Sequence, residues 1–360
     1  MILDGAVPRL IDEWQLIPKI WDYVRNEIDR RSELGQFILT GSAVPPNISD
    51  IAHTGTGRIT RLLMRPMTLW ESGDSNGTVS LKDLFNEPQA IAARNQLTLK
   101  RIAFLLCRGG WPFASLLTED DIALDQAIDY FEAVINSDIQ RIDNTERNPR
   151  RARRLLRSYA RFQGTSTAIT NICRDLKTNE GGGMDETTVS SYLNALRKIF
   201  VIEDMPAWNP NLRSGTAIRT TDTRYFVDPS IATAALGAGP EDLLNDLKTF
   251  GLLFETLCVR DLRVYAQVID GEVFHFRDKN GLECDAVIHL RNGAFGLVEI
   301  KLGGEKWIDD AARSLRSLSS KIDTERMAAP SFMAVVTATG DFAYRREDGV
   351  YVVPIGCLKD

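Results

Sequence analysis

The stretch PRLIDEWQ, residues 8–15, decides the fold, because it is a short apolar strand that ends in two acidic residues. Apolar side chains then recur every three or four residues over 14–30, which predicts an amphipathic helix. A second apolar run, QFILTGS at 36–42, ends in polar residues. A helix between two such strands is typical of a parallel βαβ unit. We therefore predict a parallel sheet whose strand ends carry polar side chains.

The acidic pair, Asp12 and Glu13, has the residue types of a nucleotide-hydrolysing site. In an NTPase sheet an Asp at this place binds Mg²⁺, and a following Glu acts as the base for the attacking water. Thr40, at the end of the next strand, would contact the γ-phosphate. Arg58 follows a glycine turn and would neutralise charge on the transferred phosphoryl group. Alternatively, the pair is an ordinary strand end and Arg58 is a solvated loop residue.

A site of this kind also needs a glycine-rich loop of the form G-x-x-x-x-G-K-[ST], whose backbone N–H groups hold the phosphates. That loop normally precedes the Asp-Glu strand, and no such string occurs in the 360 residues. We therefore expect that this chain alone does not bind ATP at meaningful affinity. Missing neighbouring strands would leave an apolar strand edge exposed, which predicts self-association.

The composition is that of a globular protein of several domains, with 44% hydrophobic residues, 26% charged residues and a net charge of −6. No apolar stretch approaches the ~18 residues needed to span a bilayer, and the first residues lack a signal-peptide pattern. The five cysteines are scattered without C-x-x-C spacing, which argues against a disulfide framework or a zinc site. We therefore expect a cytoplasmic protein with no membrane partner.

The middle of the chain, 148–240, contains three amphipathic helices followed by two strand-like runs around a loop rich in Pro and Asn. This order is the pattern of a winged helix-turn-helix. Its first helix is strongly basic, with no acidic residue from 147 to 161. Such a surface predicts contacts with DNA phosphates, although a solvated helix face or a docking surface for the ATPase segment is the alternative. The predicted DNA contacts are Arg150, Arg151, Arg154, Arg157, Arg197 and Lys198.

The C-terminal part, 241–360, alternates helices and strands and is α/β. Alternation along one strand places Glu299 and Lys301 on the same face. Asp285 lies on the preceding strand, and Glu255 lies on the opening helix. This set resembles the PD-(D/E)-x-K nuclease core, which implies that Glu255, Asp285 and Glu299 hold Mg²⁺ and that Lys301 stabilises charge on the attacked phosphate. Alternatively, Glu299 and Lys301 form a surface salt bridge.

The order of motifs along the chain resembles that of prokaryotic AAA-like ATPases with a C-terminal domain of unknown function 4143. The resemblance implies a truncated ATPase core at 1–115, a helical connector at 116–147, a winged-helix region at 148–240 and a nuclease-like domain at 241–360. The matching motifs are LIDEWQ (10–15), FILTGS (37–42), GRI (57–59), PMTLWE (66–71), GGWP (109–112), SDI (137–139), YFVD (225–228), FE (254–255), ECD (283–285) and EIK (299–301).

Taken together, these patterns predict an α/β protein: an incomplete P-loop NTPase-type parallel sheet, then a winged helix-turn-helix, then a restriction-endonuclease-like α/β domain. We expect a member of an AAA-like ATPase family that is associated with DNA. Two alternatives stay open. One is a metal-dependent DNA endonuclease that works through the C-terminal site, and the other is a non-enzymatic module that binds DNA or docks a partner.

Overall fold

The computed structural model describes residues 3–44, 54–86, 91–142, 145–211, 213 and 218–360. In this part of the chain, short 3₁₀ turns occupy Trp14–Leu16 and Ile355–Cys357, and a π-helical turn occupies Val134–Asp138. Helices α1 to α13 are Ile20–Arg31, Leu81–Phe85, Leu99–Arg108, Pro112–Leu116, Asp120–Ala133, Ile139–Arg141, Pro149–Arg161, Ile169–Asn179, Glu186–Lys198, Pro229–Leu236, Pro240–Asn245, Leu247–Val268 and Glu305–Lys321. Strands β1 to β11 are Arg9–Ile11, Phe37–Leu39, Val79–Ser80, Ala93–Arg94, Gly271–Arg277, Glu283–Leu290, Phe295–Lys301, Phe332–Thr337, Phe342–Arg345, Tyr351–Pro354 and Leu358–Lys359.

The predicted N-terminal βαβ unit is confirmed. β1 and β2 pair in parallel, α1 connects them, and Leu10 lies opposite Ile38 in the register. Trp21 and Val24 of α1 are buried. In contrast, Leu10 and Ile38 are 63% and 51% exposed, so the described residues leave one face of this two-stranded sheet uncovered. Apolar side chains are therefore exposed on this face, while the predicted exposed strand edge and self-association stay predictions.

The main sheet has seven strands in the order β4-β9-β10-β8-β7-β6-β5. β5, β6 and β7 form an antiparallel meander, and α13 then leads to β8, which pairs in parallel with β7. Alternation along β7 separates two cores: Val298 and Ile300 pack with Phe254 of α12, whereas Leu297 packs with Leu315 of α13. α12 and α13 therefore cover opposite faces of the sheet, and the predicted mixed α/β class is confirmed.

The predicted boundary at residue 115 does not divide the structure. β4 pairs with β9 in the seven-stranded sheet, and β3 pairs with β11 in a separate two-stranded sheet, so both short strands pair with strands of the C-terminal part. Leu81 and Leu84 share one core with Val353. Two-residue strands carry no periodicity, and their partners lie more than two hundred residues away in sequence. This arrangement was therefore invisible to the pattern analysis.

The middle segment contains the three predicted helices, α7, α8 and α9, followed by two extended segments. These segments meet in isolated antiparallel bridges, Ile202 to Phe226 and Met205 to Thr223, rather than in a continuous ladder. The predicted connector at 116–147 is helical in its described part, through α5, the π-helical turn and α6. The order of elements agrees with the sequence pattern, and the winged-helix assignment itself stays a prediction. None of the helices in the described ranges combines the length and the apolarity that crossing a bilayer requires.

The exposed β1–β2 sheet predicts unequal protection of the two sheets. The amides of Leu10 and Ile11 should exchange with solvent at least ~100-fold faster than those of Val298 and Ile300, because two short strands with one bare face can open locally. Hydrogen exchange on a dilute monomer measures the difference. Equal protection in β1 and β7 would contradict the prediction.

Candidate functional site

A polar cluster lies where β1 and β2 end. The Thr40 hydroxyl donates to Asp12 Oδ1 at 2.5 Å, and the Ser42 hydroxyl donates to Glu13 Oε2 at 3.0 Å. The Gln15 amide also donates to Glu13 Oε2. Asp12 is exposed and Thr40 is half-buried, so their oxygens are accessible from solvent. The structure thus brings together Asp12, Glu13 and Thr40, as parallel strands with adjacent ends require.

Arg58 does not join this cluster in the structure. Its Nε bonds Asp29 Oδ1 at 2.9 Å, and both side chains are exposed. Asp29 lies in the last turn of α1, whereas Asp12 lies near the first turn, because α1 runs back along the parallel strands. At 1.5 Å per residue, the two ends of α1 are more than ~10 Å apart. Arg58 is thus paired with a carboxylate near the far end of α1 from Asp12, and its phosphate contact stays a prediction.

A second cluster lies at the end of β7, where the Lys301 ammonium binds two carboxylates. Lys301 Nζ is 2.9 Å from Asp285 Oδ2 and 2.6 Å from Glu299 Oε2. The Ile300 backbone N–H also donates to Asp285 Oδ2, at 2.8 Å. The two carboxylates cannot be farther apart than the sum of the two lysine distances. The predicted convergence of Asp285, Glu299 and Lys301 is thus present in the structure.

Glu255 approaches this cluster from α12. The Tyr225 hydroxyl donates to Glu255 Oε1. Burial, together with the nearby charge of Asp285, raises the pKa of the Glu255 carboxyl to about 8. On the other side, a Cβ placed on Gly164 would lie 3.2 Å from both carboxylate oxygens of Glu255. Two residues of the middle segment, Tyr225 and Gly164, therefore enclose this carboxyl group.

The electrostatics of the cluster are dominated by burial and by an excess of carboxyl groups. Burial and the adjacent Asp285 raise the pKa of Glu299 well above its ordinary value. Burial opposes ionisation of Lys301, but the charges of Asp285 and Glu299 outweigh it and raise the pKa of that ammonium. Two carboxyl groups thus bind one lysine while Glu255 acts on them electrostatically, and this excess of carboxyl groups favours uptake of a proton.

The described side chains do not form a ready-made set of metal ligands. Among the described residues, no group of three or more His, Cys, Asp or Glu side chains is arranged to hold a metal ion. The direct contacts join only Asp285 and Glu299, through Lys301. The metal roles of Glu255, Asp285, Glu299 and Asp12 stay predictions.

The basic helix α7 is partly neutralised by neighbouring acids. Arg153 bonds Glu132, and Glu180 lies 3.9 Å from Arg157 and also bonds Arg161. Within the described part of the chain, Arg150, Arg151 and Arg154 are exposed and have no ion-pair partner. The guanidinium of Arg154 lies against Gly182, where a Cβ would be 2.4 Å from its Nη1. The basic surface predicted from sequence is therefore smaller than the run of arginines indicated.

Of the two DNA contacts predicted on α9, Arg197 already has partners within the protein. Arg197 bonds Asp204 and the amide oxygen of Asn194. The side chain of Lys198 is exposed, and its carbonyl accepts a hydrogen bond of 3.0 Å from the Val44 N–H. This hydrogen bond joins the end of α9 to the N-terminal segment. It agrees with the alternative that α9 is a docking surface for that segment.

Tyr225 and Gly164 are site residues that the sequence analysis missed. Tyr225 lies in the YFVD motif, which pointed only to a strand, and Gly164 follows α7 without any special pattern. Tyr225 lies thirty residues before Glu255 and Gly164 lies farther away still, so sequence spacing carries no signal for these contacts.

Comparison with known proteins supports the two ends of the chain. Residues 4–72 match the family described as AAA domain, and residues 250–358 match Domain of unknown function (DUF4143). Residues 99–242 match Domain of unknown function (DUF8612). The uncharacterized proteins Mb2031c of Mycobacterium bovis and Rv2008c of Mycobacterium tuberculosis are each 23% identical over 347 residues, which are 96% of this chain and 67% of each relative. The chain is thus similar to AAA-like proteins that carry this C-terminal domain, as its motifs predict.

The raised pKa of Glu255 predicts a pH dependence of stability. Because the folded pKa of about 8 exceeds the ordinary value of 4.5, the protein should lose stability as pH rises from about 5 through 8. Glu255→Gln should reduce this loss of unfolding free energy by roughly 1 kcal/mol. Urea unfolding across this pH range, with the exposed Glu272→Gln as control, measures it. A parent and a variant with parallel profiles would contradict the prediction.

Proposed function

We propose that the C-terminal segment is a metal-dependent phosphodiesterase of the PD-(D/E)-x-K kind that acts on nucleic acid, carried by an AAA-like protein. One observation supports this function above the others. The Lys301 ammonium, Asp285 and Glu299 meet at the end of β7, with both carboxylates in direct contact with the lysine. The meander β5-β6-β7, the helix α13 and the parallel strand β8 also follow one another in the order that the nuclease resemblance implies.

The residue types fit this chemistry. Mg²⁺ prefers oxygen ligands and keeps several of its waters, so two carboxylates such as Asp285 and Glu299 suffice to hold it. A bound Mg²⁺ would supply an activated water and neutralise charge on the phosphate. Lys301 would donate to a non-bridging phosphate oxygen, and its raised pKa keeps it cationic for this task. Glu255 would add negative charge at the edge of the site and strengthen the hold on a cation.

Nucleic acid is the proposed substrate class because an exposed basic surface lies on the helix that leads to the site. α7 carries Arg150, Arg151 and Arg154, and Gly164, three residues beyond its end, contacts Glu255. At 1.5 Å per residue, these arginines lie about 10–17 Å from the C-terminal end of α7 along the helix axis. A phosphate backbone that contacts α7 would span this distance in roughly three nucleotides of an extended strand or half a turn of duplex.

The N-terminal polar cluster supports a nucleotide-dependent role for the AAA-like segment. Asp12 and Thr40 fit the Mg²⁺ side of an ATP site, and Glu13, held by Ser42 and Gln15, fits the base that orients water. No Gly-Lys pair occurs in the 360 residues, so these residues include no P-loop lysine to bind the phosphates. ATP binding would therefore need phosphate contacts that Asp12, Glu13 and Thr40 do not provide.

A second candidate function is a non-enzymatic module that binds DNA or docks a partner. The specific observation in its favour is that Lys301 already neutralises Asp285 and Glu299, as in a structural ion pair. A cation would have to displace or share this lysine. Nuclease activity therefore separates the two candidates.

The nuclease function predicts cleavage of labelled single- and double-stranded DNA and RNA in the presence of Mg²⁺ or Mn²⁺. Asp285→Asn and Lys301→Ala should each lower the rate at least ~100-fold, because each removes a charge that the transition state requires. Asp270→Asn is the matched control, since Asp270 is exposed on a turn of the same segment. Cleavage that survives Asp285→Asn would assign the activity to a contaminant or another site, and no cleavage by the parent would favour the non-enzymatic module.

The surface on α7 predicts salt-dependent binding of nucleic acid. Reversing the charge of Arg150, Arg151 and Arg154 together should remove most of the affinity and lower the slope of log affinity against log salt by roughly 3. Lys82, Lys248 and Lys279 are exposed elsewhere, and their reversal to Glu is the control with the same change in net charge. Fluorescence anisotropy between about 50 and 200 mM salt measures both slopes. If the two triple variants lose affinity equally, the helix has no specific role.

A further inference from the structure

A cavity of about 450 Å³ lies where residues 63–66 meet the end of α9 and the segment 202–206. Most of the side chains that line it are apolar, among them Leu63, Phe200 and Ile202. Phe200 has a φ of +56°, a left-handed conformation that bulky residues rarely adopt and that recurs at functional sites. A cavity of this size with a mainly apolar wall and a few polar groups is typical of a binding site for a small molecule.

Two adjacent carboxylates at this cavity each bind two arginines. Glu203 accepts two hydrogen bonds from the Arg65 guanidinium, and Arg263 Nη1 lies 3.7 Å from its Oε2. Asp204, whose side chain is 5% exposed, is bound by Arg197 and, at 2.7 Å, by Arg224. The side chains of all these groups are buried or partly buried, so solvent screens their charges weakly.

The four guanidinium groups outnumber the carboxylates around them. Glu203 and Asp204 balance two of the four charges, and Asp222, an exposed residue at the cavity wall, supplies one further carboxylate. Burial, reinforced by the adjacent charge of Arg65, lowers the pKa of the Arg263 guanidinium despite the charge of Glu203. Buried charges are normally paired. The described groups around the cavity thus have an excess of positive charge that an anion would balance.

Two of these arginines line the cavity and have N–H groups to offer a ligand. An arginine carries five N–H donors. Among the described residues, Arg65 uses three of them on side-chain oxygens of the protein, and Arg197 uses two. The planar guanidinium matches the spacing of carboxylate and phosphate oxygens. Free donors and unbalanced positive charge therefore occur at the same wall.

We propose that this cavity binds a small organic anion, whose carboxylate or phosphate group contacts Arg65 and Arg197 and whose apolar body packs against Phe200. The site is independent of the proposed nuclease function, because none of these three residues belongs to the cluster of Asp285 and Lys301. It lies between the AAA-like segment and the middle segment, which both contribute to its wall.

The chain offers a matched control in Arg101. Asp74 also binds two guanidinium groups, those of Arg101 at 2.9 Å and Arg108 at 2.8 Å. Asp120 lies 3.9 Å from Arg101, so these charges are balanced. The side chains of Arg101 and Arg197 are 40% and 36% exposed, and a second arginine stays on the carboxylate when either is replaced. Arg101→Gln therefore repeats the loss of charge away from the cavity.

Calorimetric titration of the full chain tests the proposal with phenyl phosphate and phenylacetate as aromatic anions. Phenylacetamide is the neutral analogue, and inorganic phosphate is the anion without an apolar body. Each aromatic anion should bind with a Kd below about 1 mM, and the other two probes should bind at least about tenfold more weakly. The tighter of the two aromatic anions assigns the head group that the site prefers.

Three variants locate the binding. Arg197→Gln should weaken the tighter anion at least about tenfold, the size of one hydrogen bond to a charged group. Asp222→Asn should tighten it about threefold, because an opposing charge at the cavity wall is removed. Arg101→Gln should leave the affinity unchanged. Circular dichroism shows whether each variant is folded, and Asp222→Asn decides alone if Arg197→Gln does not fold, since Asp222 is exposed.

Four results would overturn the proposal. They are no binding of either aromatic anion up to about 10 mM, equal binding of phenylacetamide, an Asp222→Asn variant that binds no more tightly than the parent, and an equal loss of affinity in Arg101→Gln. Inorganic phosphate that binds as tightly as phenyl phosphate would overturn the apolar body of the ligand. Because none of these measurements involves cleavage of nucleic acid, their failure leaves the proposed nuclease function standing.

Discussion

The buried guanidinium of Arg260 holds together three parts of the chain that are far apart in sequence. Its side chain is 2% exposed and binds Asp228 and Asp261, both fully buried, at 2.7 Å. Asp228 also accepts the Gly110 N–H, and Asp261 accepts the Leu69 N–H. A buried ion pair contributes little net stability. Removal of one partner, however, leaves the other charges buried without a counter-charge and costs about 3–5 kcal/mol. Arg260 therefore fixes where the linker around residue 69, the turn at 110 and the helix α12 must meet.

The glycine pair of the GGWP motif follows from this constraint. A Cβ on Gly110 would lie 2.1 Å from the Met67 carbonyl oxygen and 2.9 Å from Arg260 Nη1. The Met67 N–H donates to the Gly110 carbonyl at 2.7 Å, so the two backbones touch at this point. Close backbone packing thus requires a glycine at this position of the GGWP motif. A side chain there would push the linker away from the buried charges.

Sequence periodicity predicted the helices, the longer strands and the side chains that share a strand face. The pairing of the short strands depends on tertiary contacts and was not predicted. Alternation along β7 correctly placed Glu299 beside Lys301, and the helix between two apolar strands correctly gave the βαβ unit. The pairing of β3 with β11 and of β4 with β9 was not predictable, because strands of two residues have no pattern of their own.

The ion-pair partners of the charged side chains could not be predicted from sequence for a related reason. Arg58 and half of the α7 arginines meet carboxylates that lie elsewhere in sequence, and nothing in a basic run reveals which of its charges are already neutralised. Part of the candidate site was likewise not predictable from sequence, because it depends on which side chains are buried together. Tyr225, on another segment, donates its hydroxyl to Glu255, and only packing shows that the two side chains meet.

The contacts around Tyr225 also connect the C-terminal cluster to the N-terminal linker. Arg65 binds both carboxylate oxygens of Glu203, at 2.9 and 2.7 Å. The Glu203 carbonyl accepts a hydrogen bond from Arg263, whose guanidinium covers the Tyr225 ring. The Glu203 N–H also donates to the Tyr225 carbonyl, and the Tyr225 hydroxyl donates to Glu255. The AAA-like segment and the cluster are thus joined by adjacent contacts, each of which a single substitution can remove.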